Sequence, residues 1–68
     1  MNIKVAKLGG EVFDVEVEES SNVSAVLTAA SQEVHNEDLV MVNGSRATLE
    51  TEVNEGDVVT LVPRVRGG

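Results

Sequence analysis

Residues 1–18 read "MNIKVAKLGGEVFDVEVE", and their alternation decides the fold. Met1, Ile3 and Val5 fall on one face of an extended chain, with Asn2, Lys4 and Ala6 on the other. A period of two is the mark of a half-buried strand. Gly9 and Gly10 follow, and both tolerate positive φ, so they read as the turn of a hairpin. The alternation then resumes, with Phe13, Val15 and Val17 inward and Asp14, Glu16 and Glu18 toward water. The chain therefore opens with a β-hairpin.

Beyond the hairpin, "SSN" at 20–22 is a helix start, because a Ser or Asn side chain accepts from the free N–H groups of a first turn. Val23, Val26, Leu27 and Ala30 then recur at helical spacing and make one narrow apolar stripe. This spacing predicts a helix that ends near residues 34–36. "DLVMV" at 38–42 is a third strand, "NG" at 43–44 a turn, and "RATLE" at 46–50 a short fourth strand with Leu49 turned inward. "NEGD" at 54–57 is a further turn. "VVTLV" at 58–62 is the last strand, with Val59 and Leu61 inward. Pro63 has no N–H, so ladder pairing lapses there.

The order is β-β-α-β-β-β, an α+β chain in which one helix covers one face of a mixed sheet. The helix segment supplies part of the long connection that parallel first and last strands require. The expected core is Ile3, Val5, Phe13, Val15, Val17, Val23, Val26, Val40, Val42, Val59 and Leu61. Residues 1–63 form the domain. Residues 64–68, "RVRGG", carry no core-directed pattern and read as a flexible tail.

Composition narrows the function. A chain of 68 residues is one small domain, and it buries only about 60% of its unfolded surface. It has no cysteine and one histidine, His35, so a disulfide, a Cys-type zinc site or a His-paired metal site is not expected. Twelve acids against five bases give a formal net charge of −7. Phosphate backbones and anionic lipid both need basic surface, so neither nucleic acid nor membrane is an expected partner. The acidity fits ordinary solubility, a partner with a basic groove, or a salty cytoplasm. No segment is apolar and long enough to span a bilayer, and Lys4 and Lys7 are not followed by a signal-peptide core. A cytoplasmic monomer is expected. There is no cysteine nucleophile and no paired His and Ser, and "LGGEVF" sits in a hairpin rather than between strand and helix. The chain does not read as an enzyme. Gly67 and Gly68 admit two readings: a frayed end or cloning remnant, or a carboxylate that is itself the working group.

This layout resembles the ubiquitin-like β-grasp family. Met1, Ile3, Val5, Leu8 and Gly10 share ubiquitin's spacing, as do Glu16, Val17, Glu18, Ser20 and Val26, while Arg64, Arg66, Gly67 and Gly68 match its tail. The middle is shorter, and "VNG" at 42–44, "EGDVV" at 55–59 and Pro63 before the tail resemble the MoaD and ThiS sulfur carriers and the small archaeal modifier proteins. The resemblance covers essentially the whole chain. "VMVNG…EGDVV" also loosely resembles RNA-binding S4-type modules, but the charge and the lack of a basic helix weigh against that reading.

The resemblance implies a protein modifier. The Gly68 carboxylate would be adenylated by an activating enzyme of the ubiquitin-activating type and joined to lysines of target proteins. The alternative it implies is a sulfur carrier, with a C-terminal thiocarboxylate serving tRNA thiolation, thiazole or molybdopterin synthesis through a sulfur-acceptor enzyme; the arginine-bearing tail favours the modifier. In both cases ATP is used by the partner, and the chain itself binds no cofactor. Gly67 and Gly68 would clear space at the reacting carbonyl, since glycine has no Cβ. Arg64, Val65 and Arg66 would be read by the activating enzyme, with guanidinium groups suited to forking carboxylates. Leu8, Met41, Thr60 and Val62 correspond to ubiquitin's exposed apolar patch and form a candidate docking face. Self-conjugation would be confined to Lys4, Lys7 or the N-terminal amine. His35 reads as a solvated residue after the helix, and the acidic strip of Asp14, Glu16, Glu18 and Glu19 as a solvated strand face.

Overall fold

The opening alternation folds as two antiparallel strands in the computed structural model, which describes residues 1–35 and 38–64. β1 (Asn2–Lys7) pairs with β2 (Val12–Glu16), Ile3 facing Val15 and Val5 facing Phe13. The turn between them closes with Gly10 N–H donating to the Lys7 carbonyl at 2.9 Å. Gly9 occupies the left-handed region at φ 78°, where any Cβ is strained.

α1 (Val23–Ala29) starts at Asn22, whose side-chain oxygen accepts the Ala25 N–H at 2.9 Å. The two N–H groups before Ala25 find carbonyls elsewhere in the chain: Val23 donates to Thr51 and Ser24 to Leu49, both at 2.9 Å. Those bonds satisfy donors that a helix leaves open at its start. The helix has seven residues and stops well before residues 34–36, where the sequence placed its end. Ser31 takes φ 58°, Ser31 N–H returns to the Thr28 carbonyl at 3.0 Å and Gln32 N–H to the Leu27 carbonyl at 2.9 Å. This paired closure is a Schellman cap with serine in the position glycine usually holds. Continued apolar spacing at Ala30 and Val34 concealed it.

The remaining strands are β3 (Leu39–Val42), β4 (Ser45–Ala47) and β5 (Val58–Val62). The sheet order is β2-β1-β5-β3-β4. β1 and β5 are parallel and the other pairs antiparallel. This is a β-grasp, with one helix laid across a mixed five-stranded sheet.

The buried core is Ile3, Val5, Val23, Val26, Leu27, Val40, Val53, Val59 and Leu61. Full burial of one such aliphatic side chain is worth about 1.5–3 kcal/mol. Four expected core residues, Phe13, Val15, Val17 and Val42, are only half-buried and pack against the margin of this cluster. Phe13 and Val15 lie on β2, an edge strand with one neighbour, and a helix of seven residues is too short to roof the whole sheet. The fourth strand is also shorter than "RATLE" suggested, and Leu49 turns outward with 40% of its surface exposed. Its carbonyl, rather than its side chain, faces the helix. Val53 takes the inward place instead: its N–H donates to the Ser21 carbonyl at 3.0 Å and its side chain is 1% exposed.

Candidate functional site

β5 lies at the centre of the sheet and runs parallel to β1, so it ends beside the β1–β2 turn. Leu8 N–H donates to the Leu61 carbonyl at 2.9 Å and holds that side of β5 to its end. On the other side the β3 ladder ends with Leu39 opposite Val62. Pro63, in phase with Leu61, lacks the donor that would extend the pairing on the β1 side. The next donor, Arg64 N–H, bonds to Asp38 Oδ1 at 3.1 Å. Asp38 Oδ2 accepts His35 N–H at 2.9 Å, and Asp38 N–H returns to the His35 carbonyl at 2.9 Å. The start of the C-terminal segment thus sits against the loop that follows the helix. A polar cleft of about 400 Å3 lies there, with Lys7, Gln32, His35, Asp38 and Pro63 in its wall.

The N–H bond from His35 holds the Asp38 carboxyl below the usual carboxylate range, with the Arg64 N–H adding to it. Hydrogen bonds to a carboxylate favour its charged form. Sequence reading missed Asp38 as a site residue. Its one signal was an aspartate immediately before a strand, a position from which a short acceptor side chain reaches neighbouring backbone N–H groups.

Among the tail residues singled out in the sequence, Arg64 is described and exposed, while Val65, Arg66, Gly67 and Gly68 lie outside the described residues. Of the candidate docking residues, Met41, Thr60 and Val62 share the sheet face away from the helix by strand alternation, and Leu8 lies in the β1–β2 turn beside the end of β5. Met41 is opposite Thr60 and Leu39 opposite Val62, and Ala6 pairs with both Thr60 and Val12. The same face carries Val12, 64% exposed, and Leu39, 39% exposed, beside Leu8 at 65%. Val12 and Leu39 were not singled out, although strand alternation from Asp14 and Met41 places both there. The apolar strip lies at the end of the sheet from which Arg64 departs.

The amines differ in their surroundings. Lys4 Nζ pairs with Asp14 Oδ1 across the hairpin at 3.0 Å. The Met1 amine is part-buried and donates to the Val17 carbonyl at 2.6 Å. Lys7 lies at the end of β1, paired in register with Leu61, and is exposed. His35 is exposed, as its place after the helix suggested.

One helix across a mixed five-stranded sheet, with the first and last strands parallel at its centre, defines the ubiquitin-like β-grasp class. Within that class the chain belongs to the ThiS family, whose family model matches residues 3–68; members of that family are carrier proteins rather than enzymes. Solved structures agree in fold. SAMP1 from Haloferax volcanii is similar over 100% of both chains at 21% identity, with a TM-score of 0.83. The thiamine biosynthesis protein ThiS from Geobacter metallireducens is similar over 100% of both chains at 29% identity, with a TM-score of 0.68. A ubiquitin from Caldiarchaeum subterraneum is similar over 100% of this chain and 98% of its own at 26% identity, with a TM-score of 0.71. No curated protein sequence matches the chain. No helix among the described residues is long and apolar enough to cross a membrane.

Proposed function

We propose that the chain is an acyl carrier that works through the carboxylate of Gly68, and that its first use is to carry sulfur. The observation that carries this reading is the match to the ThiS family, which extends through residue 68 and so takes in the diglycine. A free carboxylate is a poor acyl donor. A partner enzyme of the activating type overcomes this by letting a Gly68 carboxylate oxygen attack the α-phosphorus of ATP. Pyrophosphate leaves and an acyl-adenylate forms. Attack of sulfide, or of a persulfide sulfur on the partner, on the Gly68 carbonyl expels AMP. With sulfide the product is directly the thiocarboxylate; with a persulfide, reductive cleavage of the S–S bond by a thiol releases it.

The chain's own residues present the acyl group. Gly67 and Gly68 offer no Cβ to crowd the approaching sulfur. Arg64 and Arg66 supply positive charge beside the reacting end of an otherwise acidic protein. Leu8, Met41, Thr60 and Val62, extended by Val12 and Leu39, form the face that docks on the activating enzyme.

A second reading is conjugation to lysines. Here an amine attacks the same activated carbonyl, AMP or an intermediate thiol leaves, and an isopeptide bond forms. The arginine-bearing tail and the similarity to an archaeal ubiquitin favour it.

Intact-mass measurement separates the two readings after incubation with the activating enzyme of the same organism, ATP and sulfide. A sulfur carrier gains the mass of one sulfur-for-oxygen exchange. A modifier gives ladders of conjugates in cell extract. The control lacks Gly67 and Gly68. It should melt at the wild-type temperature, because neither residue has a side chain to place in the core, and it should form no adenylate. Adenylation of the truncated protein would remove the diglycine from the mechanism.

A further inference from the structure

We infer that Asp38 is a positioning residue that clamps the root of the C-terminal segment and so sets the direction in which that segment leaves the body. The inference rests on the reading of Gly68 as the activated group.

The argument begins with the ladder between β3 and β5. Leu39 opposite Val62 is its last pair. Donors of β5 alternate between its two neighbours: the Leu61 carbonyl faces β1, where it takes Leu8 N–H, so the donor that Pro63 lacks is on the β1 side. On the β3 side the next donor past Val62 is Arg64 N–H, beyond the last pair of the ladder, and Asp38, the residue before β3, meets it with its side chain. Its Oδ1 accepts Arg64 N–H at 3.1 Å, and its Oδ2 accepts His35 N–H at 2.9 Å. The His35 carbonyl in turn accepts Asp38 N–H at 2.9 Å, a second tie between the same two residues. One side chain therefore joins the loop after the helix to a residue 26 positions away. The bond anchors one more donor past the last pair of the β3–β5 ladder.

Ordering a residue before binding removes part of the cost of ordering it in the partner's channel. The consequence falls on binding of the carrier, since Asp38 is remote from the Gly68 carbonyl in sequence and takes no part in bond making. Loss of the clamp should raise KM for the carrier about fivefold, with kcat unchanged. Asp38→Asn keeps one acceptor oxygen for two N–H donors, so its effect should fall between wild type and Asp38→Ala.

Two measurements test the clamp. The first is the pH dependence of backbone amide resonances in the wild-type protein. Arg64 and His35 amides should shift together at acid pH as the shared carboxylate is protonated. Among the described residues, the charged side chains around it are His35, Lys7 and Glu33. Every other carboxylate persists in Asp38→Asn, so an acid step lost in Asp38→Asn belongs to Asp38. An Arg64 amide indifferent to pH while His35 responds would overturn the clamp, and this decides the matter even if a variant fails to fold. The second is ATP–pyrophosphate exchange with the activating enzyme, varying carrier concentration. Equal KM for wild type and a folded Asp38→Ala would overturn the positioning role. A wild-type protein that supports no exchange would instead refute the reading of Gly68, leaving the amide titration to judge the clamp.

Discussion

Asn43 and Asp57, on different turns, are joined side chain to side chain: Asn43 Nδ2 donates to Asp57 Oδ1 at 3.0 Å. Asn43 Oδ1 also accepts Val58 N–H at 2.9 Å, and Asn43 N–H donates to the Val58 carbonyl at 2.8 Å. Asp57 Oδ2 accepts Asn54 N–H at 2.8 Å and closes its own turn. The "NG" hairpin between β3 and β4 and the "EGD" turn that leads into β5 are thus one hydrogen-bonded unit. Asn43 and Gly44 both take positive φ, 52° and 85°, as a two-residue hairpin of this hand requires.

Asn43→Ala should therefore cost about 1–2 kcal/mol, from lost hydrogen bonds and from placing alanine at positive φ. Asn43→Gly should recover the backbone part but not the bonds to Asp57 and Val58. Urea unfolding of the three proteins measures both. Equal stability of wild type and Asn43→Ala would show that the link is not formed in solution.

Core substitutions should rank by burial rather than by size. Leu27 is 1% exposed beneath the helix, while Phe13 is half-buried on the edge strand. Leu27→Ala should cost about 2–5 kcal/mol, and Phe13→Ala less than its ring volume implies. Denaturant midpoints of the two variants give the order. A larger loss at Phe13 would mean that β2 is roofed more fully than the fold described above allows.

Acid should weaken two turn contacts. Asp57 is held below the usual carboxylate range by the Asn54 N–H and then by the Asn43 side chain; Asp38 is held low by His35 and Arg64. A folded-state value below the unfolded one means that the unfolded chain binds more protons in between. The stabilising contribution is complete above the unfolded value of about 3.9 and is lost as pH falls through the folded value. Both residues are only half-buried and their carboxylates stay within reach of water, so the effect should be small. Melting of wild type, Asp38→Asn and Asp57→Asn from pH 6 to pH 2.5 tests it: the gap between wild type and each variant should narrow below about pH 4. A gap that widens on acidification contradicts the assigned sign.

Acylation should choose among the amines by their surroundings. In an unstructured peptide an α-amine is acylated ahead of lysine amines near neutral pH. Here the Met1 amine is part-buried and bonded to the Val17 carbonyl, and Lys4 is paired with Asp14. Lys7 has no ion pair among the described residues. Limited acetylation followed by peptide mass mapping should therefore mark Lys7 ahead of Lys4 and leave Met1 for last. The same order should hold for any self-linked species. A branch mapped first to Met1 would reject this ordering.

Much of the fold could be read locally. Alternation over residues 1–18 placed Ile3 and Val5 inside, alternation over 58–62 placed Val59 and Leu61 inside, and the Asn22 cap located the helix start. These features follow from backbone periodicity and from side chains that act within three or four residues of themselves. The diglycine and its arginines were likewise visible, and with the family match they carry the functional reading. Only the tertiary structure decided which partner, far along the chain, each remaining group would meet. Val53 belonged to no expected element and no expected core, yet it is buried, with its N–H bonded to the Ser21 carbonyl beside the helix start. Leu49 looked like a core residue, yet its carbonyl serves Ser24 and its side chain faces out. The Asp38–Arg64 and Asn43–Asp57 links span 26 and 14 residues. No local period encodes such contacts. They arise because sheet closure brings open donors and acceptors together, and backbone groups withdrawn from water must find partners wherever the chain passes.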